Sequence, residues 1–180
     1  MTIERTLMVI KPDGMDKKDG IISYYTKAGL KIITQKQVQI SEKQAGEHYA
    51  ATDEQVLGMG NKTIEASVRT GNLEKMKKIF GTDDPRAIGM KLREWLIKFI
   101  TSEPVMAYVL EGENAVTLTR KITGFTDPAQ AEKGTVRADF GSDSIVNANS
   151  DGRPVRNVVH ASGNVEEAKR EIRLWFPEMK

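Results

Sequence analysis

The chain contains no cysteine, which excludes disulfides, thiolate metal sites and a cysteine nucleophile. It leaves the compartment open, because oxidising and reducing environments both tolerate a cysteine-free chain. Histidine is scarce too, with two residues, His48 and His160, and a metal site using both lacks a third ligand at a recognisable spacing. No run approaches the roughly 18 apolar residues of a membrane span. The start, MTIERTLMVIKPDG, has charge where a signal peptide would need its apolar core, so the expectation is a soluble cytoplasmic protein without a membrane partner. Blocks of one charge sign are also missing. Lys and Arg total 27 against 25 Asp and Glu, a formal net charge of +2, which argues against a nucleic-acid tail or a membrane patch.

What is present is enough apolar sequence for one core. With 180 residues, 39% of them hydrophobic, the chain reads as a single domain over 1–180. Arg5 to Lys11, RTLMVIK, is short, apolar and branched, and stops at the turn signal Pro12-Asp13-Gly14, as an interior strand would. Helical spacing follows through Ile21, Ile22, Tyr25 and Ala28 to Gly29, then an alternating strand, then a helix capped by Ser41 with Gln44. From about 51 to 90, GMGN, RTGN and FGTDDPRA punctuate short helical pieces, which suggests an inserted helical subregion. An amphipathic helix is expected over 85–102, a buried strand at PVMAYVLEG and a helix closed by Gly124. Phe125 to Arg156 reads mostly as loop, unusually long and therefore a candidate for function. VRNVVH reads as a last strand, and Asn164 with Glu167 can cap a last helix. Strands alternating with helices indicate a two-layer α/β sandwich.

His160 sits where that last strand gives way to the helix, followed by the small residues Ala161, Ser162 and Gly163. A helix N-terminus offers free amides and a positive dipole end, so an anionic ligand would be favoured there. A histidine beside an anion site suggests attack on phosphorus. Such attack needs one imidazole nitrogen free and the other anchored, usually by a carboxylate. Glu171, by its spacing, lies at the edge of the packed face of the last helix and is the first candidate anchor, with Glu167 competing. Lys11, Arg120 and Arg137 are candidate cations for the phosphoryl oxygens. His48 is taken as structural or solvent-facing, and the basic KMKKIF at 75–80 as a solvated face.

KPDG at 11–14, Thr126-Asp127-Pro128 through GTVRADF at 134–140, NVVHAS at 157–162 with a glutamate on the following helix, and LWF at 174–176 occur in one order. In that combination the chain resembles a nucleoside diphosphate kinase. The resemblance implies a ferredoxin-like α/β sandwich with a four-stranded antiparallel sheet, assembled as a hexamer or tetramer. It implies ping-pong transfer of the γ-phosphoryl of a nucleoside triphosphate such as ATP to a nucleoside diphosphate, through phosphohistidine at His160, with Glu171 and Ser162 orienting the ring. Lys11, Tyr49, Arg120, Thr126, Arg137 and Asn157 are then implied as contacts to phosphates and sugar. Leu92 and Leu96 are implied at the apolar position on which the base stacks, with little base selection. Magnesium is implied on the nucleotide phosphates rather than in a protein cage.

The chain departs from the family pattern in three ways. The residues after the histidine usually read glycine, serine, aspartate, whereas here they read Ala161, Ser162, Gly163. Ala138 stands where glycine is usual. The chain is also longer, by roughly thirty-five residues between Tyr49 and Leu96 and roughly ten between Phe140 and Asn157, more than ordinary connections need. A helical insertion at about 51–90 and a loop insertion at about 141–155 are the expectation. The competing class is a nucleotide-binding regulatory module on the same fold that has lost turnover.

Overall fold

Leu7, Met8, Val9 and Ile10 are all fully buried, so the strand that holds them must be covered on both faces. In a computed structural model, which describes residues 2–179, that strand is β1 (Ile3–Ile10). It lies between β3 (Val105–Glu113) and the short β4 (Val159–Ala161), and β2 (Lys31–Val38) completes the order β2-β3-β1-β4. Every pairing is antiparallel. This is the four-stranded, ferredoxin-like α+β architecture that the resemblance implies.

The two-residue period of the strand divides the core. Met8 and Ile10 join Tyr108 and Leu110 beneath α1 (Lys18–Lys27) and α6 (Ala115–Thr123), which contribute Ile21, Tyr25 and Ala115. Leu7 and Val9 join Val105, Ala107 and Val109 on the opposite face. That face is covered by α2 (Glu42–His48), the end of α5 (Pro85–Ile100) and α9 (Val165–Trp175), through Ala45, Ile100, Ile172 and Trp175. The cap expected at Ser41 forms, with Ser41 Oγ accepting the Gln44 amide at 3.2 Å. No helix among the described residues is long and apolar enough to cross a membrane.

The middle of the chain differs from its sequence reading. GMGN does not interrupt a helix but lies inside α3 (Asp53–Arg69), which precedes α4 (Leu73–Phe80). The glycines belong to a helix crossing. A Cβ on Gly60 would lie 1.9 Å from the Pro85 carbonyl oxygen, and one on Gly89 would lie 2.0 Å from that of Val56. Only glycine lets α3 and α5 approach this closely, which outweighs its low helix propensity. Met76, Ile88 and Leu92 form a small separate core there, flanked by Met59, Phe80 and Trp95.

The stretch read as mostly loop contains two short helices, α7 (Val136–Phe140) and α8 (Ile145–Ser150). Conversely, the last strand is shorter than VRNVVH suggests, because Val158 turns into the left-handed region at φ 58°. A β-branched residue rarely adopts this geometry. It is held there from both ends: Lys11 N donates to Val158 O at 2.8 Å, and Val158 N donates to Asp13 Oδ2 at 2.9 Å. The KPDG turn thus clamps the approach to His160.

Candidate active site

The turn at Val158 delivers His160 to the middle of the molecule with one edge of its ring anchored. His160 Nε2 lies 2.9 Å from Glu171 Oε2, which also accepts from Ser162 Oγ at 2.6 Å. A carboxylate only accepts, so the imidazole proton sits on Nε2 and the lone pair is on Nδ1. Ser162 in turn is held by the Leu7 backbone of β1. Glu171 is more deeply placed than the spacing of α9 indicates: it is fully buried, because α9 packs on β1 and buries Ala168, Glu171 and Trp175 together.

His48, read as structural or solvent-facing, is buried within this assembly. Its ring stands edge-on to His160 with centroids 4.3 Å apart, and its Nδ1 accepts the Trp175 Nε1 proton at 3.2 Å. It forms the wall behind the imidazole. His48, His160 and Glu171 bring ligand-type atoms within 4.8 Å of one another, but one lone pair of His48 is committed to Trp175 and one Glu171 oxygen to His160 and Ser162. The cluster is a hydrogen-bonded support, not an open metal cage.

The open side of His160 faces a cavity of about 580 Å³, the size of a small-molecule site. Ten of the eleven residues singled out from the sequence line it: His160, Glu171, Lys11, Tyr49, Leu92, Leu96, Arg120, Thr126, Arg137 and Asn157. Ser162 is the exception, sitting behind Glu171 as its donor. Lys11 Nζ donates to Asn157 Oδ1 at 2.7 Å, and Asn157 Nδ2 donates to Thr126 O at 2.8 Å, so three distant segments are fastened at one point. Arg137 gives its Nη2 to Val159 O at 2.9 Å and its Nη1 to Gly124 O at 3.2 Å. Leu92 is buried in the small α3–α5 core while reaching the cavity.

Burial dominates the electrostatics of the cavity. It brings Lys11 down to about 8, with the neighbouring Arg137 charge adding and Asp13 opposing. Burial likewise brings Arg137 down to about 10. The imidazole of His160 is held well below its ordinary value by burial, against the opposing charge of Glu167 and with Lys11 and Arg137 reinforcing it. These cations lost hydration without gaining enough anions, and an anionic ligand would relieve that cost. The Tyr49 hydroxyl, a buried donor with no partner among the described residues, adds to the same demand.

The helix terminus contributes less than expected. Asn164 Oδ1 accepts the Glu167 amide and Glu167 Oε2 accepts the Gly163 amide, both at 2.8 Å. One α9 amide and the Gly163 amide just before the helix are therefore already satisfied, and the cations from the end of β1, α6 and α7 carry most of the attraction for an anion. Sequence reasoning missed Gln55, Met59 and Lys62, which line the cavity from α3. Their spacing of four and three residues marks one helical face, a signal hidden by treating GMGN as a break.

Known proteins resemble this chain over nearly its whole length. A family model described as nucleoside diphosphate kinase matches residues 4–87 and 88–180. The chain is 41% identical over 180 residues to the nucleoside diphosphate kinase of Pyrobaculum aerophilum, covering 99% of this chain and 97% of that protein. It is 37% identical over 180 residues to that of Symbiobacterium thermophilum, covering 99% and 90%. A solved NDP kinase structure from Pyrobaculum aerophilum superposes with a TM-score of 0.89 at 40% identity, over 97% of this chain and 96% of the other. A transition-state mimic of nucleoside-diphosphate kinase from Borrelia burgdorferi, with bound vanadate and ADP, does so with a TM-score of 0.74 at 30% identity, over 97% and 87%.

Proposed function

The chain belongs to the nucleoside diphosphate kinase family, enzymes that bind nucleotides and pass a phosphoryl group between them through a phosphohistidine with the help of a divalent cation, and we propose that here the group is carried on His160 Nδ1. The observation that carries this reading is the anchoring of the opposite nitrogen, Nε2, by the buried Glu171 carboxylate at 2.9 Å. It leaves a neutral ring with its lone pair toward a cation-lined cavity.

In the first half-reaction the Nδ1 lone pair attacks the γ-phosphorus of a nucleoside triphosphate. A nitrogen–phosphorus bond forms, the bond from phosphorus to the bridging oxygen breaks, and that oxygen leaves with its electrons on the diphosphate. The ring keeps its Nε2 proton and becomes cationic, and the Glu171 charge stabilises that state. In the second half a terminal oxygen of an incoming diphosphate attacks the same phosphorus and releases neutral imidazole. No proton needs to leave the site.

Lys11, Arg120 and Arg137 are read as the cations around the phosphates, where guanidinium groups grip oxygens in pairs. Thr126, Tyr49 and Asn157 supply neutral donors to phosphate and sugar. Leu92 and Leu96 supply the apolar surface for the base, which predicts broad base tolerance. The divalent cation is taken to be magnesium. The lining carboxylates suit an ion carried on phosphates: Glu171 is engaged by His160 and Ser162, Glu167 by Gly163 and Gln55, and only Glu54 has no side-chain hydrogen bond among the described residues, which is too few oxygens for a protein cage. When bound, the ion neutralises phosphate charge. The chain is read as one cytoplasmic domain, with α3 and α4 as a helical insertion at about 51–90 and a loop insertion at about 141–155. A homo-oligomer, hexameric or tetrameric, is favoured by the edge position of β2, whose Ile32 and Ile33 stay exposed.

The test is to incubate the protein with magnesium and γ-labelled ATP, isolate it, and add unlabelled GDP, with His160→Ala alongside. Acid-labile, alkali-stable label that chases into GTP and is absent from the variant is expected. Binding of ATP without retained label would replace the enzyme by a nucleotide-binding module.

A further inference from the structure

Position 163, where the family usually has an aspartate, is glycine here, yet its side-chain space is filled. The backbone is outside the left-handed region and does not demand glycine, and the atoms nearest to that space belong to a side chain, which a residue at 163 would displace. A Cβ on Gly163 would lie 2.4 Å from Glu167 Oε2. The Glu167 carboxylate, reaching back from the first turn of α9, thus occupies the volume where a side chain at 163 would begin. It is fixed from two sides, with Oε2 accepting the Gly163 amide at 2.8 Å and Oε1 accepting from Gln55 Nε2 of α3 at 3.3 Å.

Its surroundings are those of the reaction. Glu167 lines the same cavity as His160, and Arg120 Nη1 lies 3.7 Å from the same Cβ point. Lys62 of α3 also feels its charge. We infer that Glu167 is a positioning residue for phosphoryl transfer, returning to the site from the helix the carboxylate that the loop lacks at Gly163. It holds the main chain that follows the nucleophile, sets a negative charge in the neighbourhood of Arg120 and Lys62, and ties α3 to the catalytic loop. The inference rests on reading His160 as the phosphorylated residue.

A carboxylate here has two opposed effects. It orders the cations, which favours the transition state, but it repels the polyphosphate, which weakens ground-state binding. Removing it must therefore lower kcat without raising KM, whereas general loosening of the site would raise KM.

The experiment measures the phosphorylation rate and the KM for ATP in the native protein, Glu167→Ala, Glu167→Gln, and two double variants, Gly163→Asp/Glu167→Ala and Gly163→Asn/Glu167→Ala, with thermal melts of each. Glu167→Ala is expected to lose about tenfold in rate with an unchanged or lower KM, and Glu167→Gln to lose less because it can still accept the Gly163 amide. The double variant with aspartate should return to within about threefold of native, while the uncharged isostere stays slow. A native rate in both single variants overturns the inference, as does a raised KM in Glu167→Ala, or equal rates in the two doubles. Native protein that takes no label would instead overturn the phosphohistidine reading itself, and this inference with it.

Discussion

Glu171 is the residue on which the chemistry of His160 turns. Its Oε2 receives both the imidazole proton and the Ser162 hydroxyl, while its Oε1 has no hydrogen-bond partner among the described residues and lies 3.7 Å from Arg170 Nη2. Glu171→Gln keeps the shape and removes the charge that stabilises the cationic phosphohistidine. We expect the single-turnover phosphorylation rate to fall on the order of 10- to 100-fold, with nucleotide affinity nearly unchanged because Glu171 lies beneath the ring and not against the phosphates. An unchanged rate would assign the orientation of His160 to something else. The motif NVVHAS and a glutamate on the next helix made the pair readable in the sequence. The depth of Glu171 was not, because α9 spacing alone set it at an edge. His48 was missed for a related reason: its partner Trp175 lies 127 positions away, and no local pattern joins them.

At the scale of elements, the strands and the flanking helices were legible because apolar period and turn residues agree with tertiary demand. The region from 51 to 90 was legible in kind but not in detail. Glycine in a sequence reads as a break, whereas at Gly60 and Gly89 it marks where two helix backbones touch. The consequence is testable. Gly60→Ala or Gly89→Ala places a Cβ against a backbone carbonyl, which cannot swing aside as a side chain would. Each should cost roughly 1–3 kcal/mol in urea unfolding, against the slight gain alanine gives in an unconstrained helix. Because α3 and α5 carry Met59, Lys62, Leu92 and Leu96 of the cavity wall, the KM for nucleotide should rise more than kcat falls, since the His160–Glu171 pair stands on other elements. A variant as stable as native, with unchanged KM, would show that the helices do not need this approach.

For the whole molecule, placing the chain's two histidines edge to face in its interior makes stability depend on pH in a predictable window. Burial brings His48 down to about 3, with His160 adding and Glu171 opposing, and burial also holds His160 below its ordinary value. In the unfolded chain both titrate near 6.5. As pH falls below about 6.5 the unfolded state takes up protons that the folded state refuses, so stability is retained above that value and lost below it. Between about pH 7 and 5.5 the loss should be about 1.2 kcal/mol for His48 and somewhat less for His160, which keeps some solvent access. Urea unfolding at both pH values should therefore show the native protein weakening by about 2 kcal/mol and His160→Ala by about half as much. Over the same range the phosphorylation rate per folded molecule should hold, because the attacking ring stays neutral where a solvated imidazole would already be protonated. A stability that does not change from pH 7 to 5.5 would mean that both rings accept protons in the folded state, and the rate would then fall with them.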